Sequence, residues 1–275
     1  MTDIAFERAG SGEPLVLIHG TGGSRGVWAP VRGILERERD VIAIDLPGHG
    51  ESPAAPPHMA PTPPGYAHVL AGFLGELGLE DAHLAGNSVG GWTALELAKL
   101  GRARSVVALG PAGLWEVNPR SAYWSLRLDR VGAKRFRRPL EAALSTRAGR
   151  IALLGQSFGR PWRVPADAAI ETIRAFGRTR GFREHLELTS RIRFEGGRRI
   201  EVPVTVAFGT RERLIPRKGR LRGELPAHTL WIELQGCGHV PMWDDPELVA
   251  RTILDGGATA AAPAAAGDAA GLSRG

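Results

Sequence analysis

The sequence predicts an α/β fold: a doubly wound, mostly parallel sheet with a helical insertion. Three observations predict it. Short unbroken apolar runs alternate with segments of helical periodicity before residue 110 and again after residue 200. Polar, glycine-rich loops follow those runs, as expected where the carboxyl ends of parallel strands gather function. Between residues 111 and 199 the alternation stops and broken helical patterns take over.

Taken in order, Asp3 to Arg8 alternate apolar and polar, and Gly10-Ser11-Gly12-Glu13-Pro14 supplies turn chemistry, so the chain should open with a hairpin. Leu15-Val16-Leu17-Ile18 is an unbroken apolar run, the mark of a strand covered on both faces. It runs into His19-Gly20-Thr21-Gly22-Gly23. A helix is expected across Trp28 to Arg37, with Trp28, Val31, Ile34 and Leu35 on one face. Val41 to Ile44 reads as the next buried strand and leads into Asp45-Leu46-Pro47-Gly48-His49-Gly50-Glu51-Ser52. The Pro-rich span Pro53 to Gly65 reads as loop, followed by a helix around Tyr66 to Leu77.

The chain is organised around Asp81 to Leu100. Ala82 to Ala85 reads as a buried strand, and Trp92, Leu95, Leu97 and Leu100 recur at near-helical spacing among good helix formers. Between them lies Gly86-Asn87-Ser88-Val89-Gly90. A serine at so tight a strand-to-helix turn is held in a strained conformation that lifts its hydroxyl above the sheet, and the flanking glycines leave room for it. The pentapeptide is weak alone, since a chain with 37 glycines offers about 0.2 chance copies. Its context gives it weight.

Ser105 to Leu109 is a further strand. The insertion then carries Arg and aromatic residues, with Trp124 and Trp162 among those expected to shape substrate choice. Strands resume at Val204 to Phe208 and, after a helix, at Thr229 to Leu234, and Pro246 to Leu254 closes the fold as a helix. The expected division is a core of residues 1–110 and 200–255, a helical cap of 111–199, and a disordered Ala/Gly-rich tail of 256–275.

Composition narrows the function. The chain has 275 residues, enough for a sizeable core, and 43% hydrophobic content. No run approaches the roughly 20 apolar residues of a membrane span. The start lacks a basic segment followed by an apolar one, so no signal peptide is expected. One cysteine excludes an internal disulfide, which fits a reducing cytoplasm. The net charge of +6 invites a nucleic-acid reading, yet no zinc-finger spacing or RNP-like motif appears, and none is expected to bind. Metal-ligand spacings and an intact G-x-G-x-x-G are absent, so neither metal nor cofactor is implied. Nothing in the sequence sets the oligomeric state.

A serine hydroxyl needs a base to take its proton, a carboxylate to orient that base, and donors for the developing oxyanion. His239, in Gly236-Cys237-Gly238-His239-Val240-Pro241, follows the last predicted strand; Glu212, in Gly209-Thr210-Arg211-Glu212-Arg213-Leu214-Ile215-Pro216, follows the strand before. The order serine, acid, histidine is that of a known hydrolase arrangement. The bland alternative for Glu212 is a solvated carboxylate between Arg211 and Arg213. His19, His49 and Asp45 read as loop-bonding residues, and Cys237 points to no thiol chemistry.

Together these motifs resemble the α/β-hydrolase superfamily, in its serine-nucleophile branch of esterases, lactonases, carbon–carbon bond hydrolases and cofactor-free haloperoxidase-like enzymes. The resemblance covers the chain before Pro111 and after Ile200. It implies a triad of Ser88, Glu212 and His239, and an oxyanion hole made by the backbone N–H groups of Thr21 and Val89. Glu212 departs from the pattern, since Asp is commoner there. The implied activity is hydrolysis of a small hydrophobic ester-type substrate, a carboxylester or lactone, through an acyl-enzyme. The alternatives are carbon–carbon bond hydrolysis or acyl transfer on the same triad, or a ligand-binding protein that kept the fold and lost catalysis. Serine at the elbow disfavours epoxide hydrolysis and dehalogenation, which use Asp there in this family.

Overall fold

The computed structural model describes residues 3–56, 58–115, 120–215, 217 and 220–258. Its strands are β1 (Phe6–Gly10), β2 (Glu13–Ile18), β3 (Arg39–Ile44), β4 (Ala82–Asn87), β5 (Ala103–Leu109), β6 (Val204–Gly209) and β7 (Leu230–Leu234). They form one sheet in the order β1-β3-β2-β4-β5-β6-β7, parallel throughout except for β1.

Alternation along each strand divides the core. Val16, Ile18, Ile42 and Ile44 face α2 (Pro63–Glu76) and α3 (Val89–Lys99), with Tyr66, Leu70, Phe73, Trp92 and Leu95. Leu15, Leu17, Val41 and Ala43 face the opposite side, with Val31 and Leu35 of α1 (Ala29–Leu35) and Val249 and Ile253 of α9 (Pro246–Ala258). Successive side chains of a strand point to opposite faces, so a run with no polar break suits a sheet covered twice.

The expected opening hairpin does not form. β1 pairs antiparallel with β3, Phe6 opposite Ile44 and Gly10 opposite Asp40. Both edges of β2 are taken by parallel neighbours, β3 and β4, and the largely exposed β1 suits a sheet edge. Gly10, at φ +91°, lets the turn press on β3, where a Cβ would sit 2.2 Å from the Arg39 carbonyl oxygen. The Pro-rich loop is also shorter than expected. Pro63 and Pro64 begin α2 behind Thr62, whose hydroxyl accepts from the Gly65 N–H; proline suits the first helical positions because their N–H groups have no partner within the helix.

Between β5 and β6 the insertion forms α4 (Arg120–Arg135), α5 (Arg137–Leu144), α6 (Arg147–Leu154), α7 (Ala166–Arg178) and α8 (Phe182–Thr189). Leu144, Leu154, Phe158, Val164 and Ala169 give it a small core of its own. No α-helix is seen between β6 and β7 among the described residues, where that stretch is turn and loop apart from a 3-10 position at Arg217. The closing helix reaches Ala258, so residues 256–258 belong to it, and the rest of the expected tail, 259–275, lies outside the described residues. No helix among the described residues is long and apolar enough to cross a membrane.

Candidate active site

The site begins at the turn from β4 to α3. Ser88 has φ 56° and ψ −117° and is the one non-glycine residue with positive φ among those described. Strain of this kind persists only where surroundings over-determine it. Here the Ser88 N–H donates to the Leu109 carbonyl at 2.9 Å, and the Asn87 amide donates to the Leu109 and His239 carbonyls at 3.0 and 2.8 Å. The flanking glycines are sterically required. A Cβ at Gly86 would lie 2.2 Å from the Gly90 carbonyl oxygen, and one at Gly90 would lie 2.1 Å from that of Ile18.

His239 and Glu212 meet as the sequence predicts. The loop after β7 carries His239 and the loop after β6 carries Glu212; Nδ1 of the imidazole lies 2.7 Å from Oε2 of the carboxylate. A carboxylate accepts only, so Nδ1 carries the proton and Nε2 of the neutral ring keeps its lone pair. The Glu212 side chain is fully buried and that of His239 nearly so. Oε1 accepts from the Leu214 and Ile215 N–H groups at 2.7 and 3.0 Å, which fixes the carboxylate from its far side. Burial pushes the Glu212 carboxyl up, but the His239 ring and these two amides together hold it below the usual carboxylate range. The solvated-carboxylate alternative fails. Arg211 and Arg213 turn away, donating to the Gly159 carbonyl at 2.9 Å and the Gly155 carbonyl at 2.5 Å.

Ser88, His239, Thr21 and Val89 all line one cavity of about 330 Å³ under the insertion. Val89 is the first residue of α3, where an N–H has no acceptor within its own helix. The wall is mostly apolar, with Leu140, Leu154, Phe158, Ile173, Phe176 and Leu186 from the insertion. Among the described lining residues there is no Lys or Arg, and Asp129 is the one carboxylate. Desolvation against the apolar wall pushes its carboxyl above the usual range. Trp124 and Trp162, expected near the substrate, do not line the cavity and are exposed.

The loop residues behave as expected. The buried His19 accepts from the Leu46 N–H at Nε2 and so donates from Nδ1 to the Gly20 carbonyl at 2.7 Å. His49 Nδ1 donates to the Pro47 carbonyl at 3.0 Å. Asp45 accepts from the Arg25 and Glu51 N–H groups and pairs with the Arg25 guanidinium. Burial pushes the Cys237 thiol up to about 12, which disfavours the thiolate.

Two residues escaped the sequence reading. Asp244 accepts from the N–H groups of Gly238, Gly159 and Arg160 at 2.7, 2.8 and 2.6 Å, and so ties the histidine loop to the insertion. His185 of α8 lines the cavity and is buried beside Tyr66 and His49. Its Nδ1 lies 2.8 Å from the Pro61 carbonyl and must donate there, so Nε2 accepts from the Thr21 hydroxyl at 2.9 Å. Desolvation lowers its pKa to about 4 and keeps the ring neutral. Nothing local in the sequence marks this histidine, because its partners lie in other elements. Among the described residues no cluster of His, Cys, Asp and Glu could hold a metal ion.

Comparison with known proteins agrees with this architecture. A family model described as the alpha/beta hydrolase family matches residues 15–252. The chain is 41% identical over 114 residues to the acetyltransferase component of an acetoin-cleaving system from Pseudomonas putida, covering 40% of this chain and 30% of that protein. It is 31% identical over 202 residues to epoxide hydrolase EphH from Mycobacterium tuberculosis, covering 66% and 87%. It is 27% identical over 265 residues to a 2-hydroxy-6-oxo-6-(2'-aminophenyl)hexa-2,4-dienoic acid hydrolase from Metapseudomonas resinovorans, covering 90% and 85%. Among solved structures, a bacterial membrane phospholipase A superposes with a TM-score of 0.71 at 26% identity, covering 93% of this chain and 83% of that one. By its sequence, its sheet order and the placement of its strand-end loops, the chain belongs to the α/β-hydrolase family.

Proposed function

We propose that the chain is a serine hydrolase that cleaves a small, hydrophobic ester-type substrate, a carboxylester or lactone, through an acyl-enzyme, with the insertion as its cap. The observation that carries this reading is the buried Glu212–His239 pair at 2.7 Å, whose imidazole lines one cavity with a serine held at positive φ.

In this mechanism His239 Nε2 takes the Ser88 Oγ proton as Oγ attacks the carbonyl carbon, and the carbonyl π electrons move to oxygen. The Thr21 and Val89 N–H groups hold that oxyanion. Glu212 keeps Nδ1 protonated and stabilises the imidazolium. Collapse expels the alcohol, which takes the proton from Nε2. Water then gives a proton to His239 and attacks the acyl carbon, releasing the acid and restoring Ser88. Acyl transfer would differ only in the acceptor that replaces water.

Epoxide hydrolysis, the activity named for the mycobacterial relative, fits poorly because the elbow holds serine rather than a carboxylate. The dienoic acid hydrolase supports a second reading, carbon–carbon cleavage on the same triad. An anionic acid would enter a cavity whose described lining offers no cation and one carboxylate, Asp129. A neutral ester is the better fit. With one cysteine and so no internal disulfide, we place the protein in the reducing cytoplasm.

The test is labelling by a fluorophosphonate probe, read by mass on the Ser88 peptide, beside turnover of p-nitrophenyl esters of graded chain length, lactones and dienoates. Labelled Ser88 with ester turnover supports the proposal. Turnover of dienoates alone moves the assignment to carbon–carbon hydrolysis. No label and no turnover would leave a binding module on a hydrolase fold.

A further inference from the structure

The described insertion holds a surface that the hydrolase reading does not use. On α4, Trp124, Leu128 and Val131 lie within a narrow arc of the helix and are 63%, 66% and 59% exposed. Phe136, just beyond the helix, is 56% exposed. Exposed apolar residues scattered singly are ordinary, but a contiguous set with a polar rim marks an interaction site.

The rim here is cationic. Residues 124–163 carry ten Arg or Lys and two carboxylates, a formal charge of +8, whereas the whole chain carries +6. The rest of the molecule is therefore acidic on balance. Within the stretch Arg137 pairs with Glu141 and Arg160 with Asp245; outside it Arg8 pairs with Asp40, Arg25 and Arg32 with Glu7, and Arg104 with Asp81 and Glu13. Among the described residues, Arg127, Lys134 and Arg135 have no carboxylate partner, and Arg138 shares Glu141 with Arg137 and Arg174. Arg127 sits 5.8 Å over the Trp124 ring and Arg135 6.0 Å over that of Phe136, so charge and apolar surface are presented together.

The structure assigns this face of α4 and the start of α5 to docking on an anionic lipid surface. A helix lying in a membrane interface needs an apolar stripe to enter the acyl boundary and flanking cations for the headgroups, and both are present. A nucleic acid would use the cations but leave Leu128 and Val131 without a role. A second copy of this chain docked through the same face would set like charges against each other. The cavity opens on the same face, since Leu128 and Leu153 line it and are themselves exposed. Docking would thus bring the mouth to a store of acyl esters; this last step alone rests on the hydrolase reading.

The experiment is co-sedimentation of the full chain carrying Ser88→Ala, so that turnover cannot alter the lipid. Vesicles of phosphatidylcholine are compared with vesicles holding about 30% phosphatidylglycerol, at about 0.1 M and about 0.5 M salt. Binding is expected only with phosphatidylglycerol and only at low salt. Lys134→Glu/Arg135→Glu/Arg138→Glu should weaken it at least tenfold, because each reversal turns attraction to the headgroups into repulsion. Trp124→Ser/Val131→Ser should weaken it several-fold. None of these residues lines the cavity, so in the Ser88 chain both variants should keep hydrolysis of water-soluble p-nitrophenyl acetate within about twofold, which also reports that they fold. No binding to the anionic vesicles, or binding indifferent to the charge reversal, overturns the assignment. So does a dimer in solution abolished by Trp124→Ser/Val131→Ser, or oligonucleotide binding as tight as vesicle binding and blind to that pair. If the Ser88 chain hydrolyses nothing while Ser88→Ala still binds vesicles, the hydrolase reading falls and the docking surface stands.

Discussion

The strand-end loops of the core and helices α4 and α5 treat the same residue types in opposite ways. In the core loops polar groups are buried and paired: Glu212 has its carboxylate bonded on both sides, and Asp45 holds Arg25 and two backbone amides. On α4 and at its junction with α5, Arg127, Lys134 and Arg135 have no carboxylate partner among the described residues, and Trp124, Leu128, Val131 and Phe136 face outward. A site that must hold atoms to within tenths of an ångström is built from satisfied partners on rigid elements. A surface that must meet something outside the molecule keeps its groups unspent. On the function and docking surface proposed above, the contrast separates where chemistry is fixed from where substrate is met.

The largest test of that division is Ser88→Ala. It should lower kcat for esters by 10⁴-fold or more and leave the melting temperature unchanged, because the turn is held by backbone contacts and glycines rather than by the hydroxyl. Undiminished turnover in the folded variant would show that the core loops are not where the chemistry lies.

Glu212→Gln comes next. It keeps shape but can turn an amide N–H toward Nδ1, favouring the wrong tautomer, so the loss should approach the ~10⁴ of an Asp-to-Asn change in a serine protease triad. Glu212→Asp keeps charge but withdraws the carboxylate by roughly 1.5 Å, and substantial but incomplete activity is expected. Near-wild-type kcat for Glu212→Gln would remove Glu212 from the triad.

His185 tests the seam between the two regions. Its ring holds the Thr21 hydroxyl and hence the loop carrying one proposed oxyanion donor. His185→Ala should cut kcat by about tenfold, ~1.4 kcal/mol, with KM changed less. His185→Gln, whose carbonyl can accept from Thr21, should recover most of it, and Thr21→Val should add little to the loss in His185→Ala. Equal effects on kcat and KM, with no recovery, would reduce His185 to a packing residue. Stability carries a related signature. The folded pKa is about 4 against an unfolded value near 6.5, so between them the unfolded chain binds the extra proton. The neutral ring's stabilisation is complete above pH 6.5 and is lost as pH falls toward 4, about 3 kcal/mol in all; His49 shifts in the same direction, from its own burial. Denaturation curves across that window should be flatter for His185→Gln. The smallest expected effect is none: truncation after residue 258 should leave melting temperature and kcat/KM unchanged, since an Ala/Gly segment without an apolar stripe buries little.

Much of this was legible in the sequence because the signals are local. An apolar run, a glycine pair about a serine, and a histidine past a strand each need only a few neighbours, and Ser88, Glu212 and His239 stand where those signals put them. Reading failed where partners are distant. The turn glycines suggested a β1–β2 hairpin, but strand pairing is decided by which edges of β2 remain open, and β3 takes one from 21 or more residues away. Pro63 and Pro64 read as loop because proline breaks helices everywhere except at their start. Trp124 and Trp162 read as pocket walls because an aromatic residue in an insertion carries no mark of which way it faces. His185 and Asp244 act through atoms supplied by other elements, and no periodicity encodes that.

The seams around the cavity also set what can move. At one end the Arg180 N–H donates to the Gly48 carbonyl at 2.7 Å and His185 holds Thr21; at the other, Val240 donates to the Ser157 carbonyl at 2.8 Å and Asp244 grips Gly159 and Arg160. An insertion fastened at both ends cannot swing away as one body without breaking both sets of bonds at once. Opening is left to α4 and α5, which pack mainly on α6, α7 and each other rather than on the sheet. Amide hydrogen exchange should therefore be faster in α4 and α5 than in α8. If the chain hydrolyses esters as proposed and release of the acid limits turnover, the breathing of those two helices would set its clock, on the microsecond-to-millisecond scale of enzyme lids.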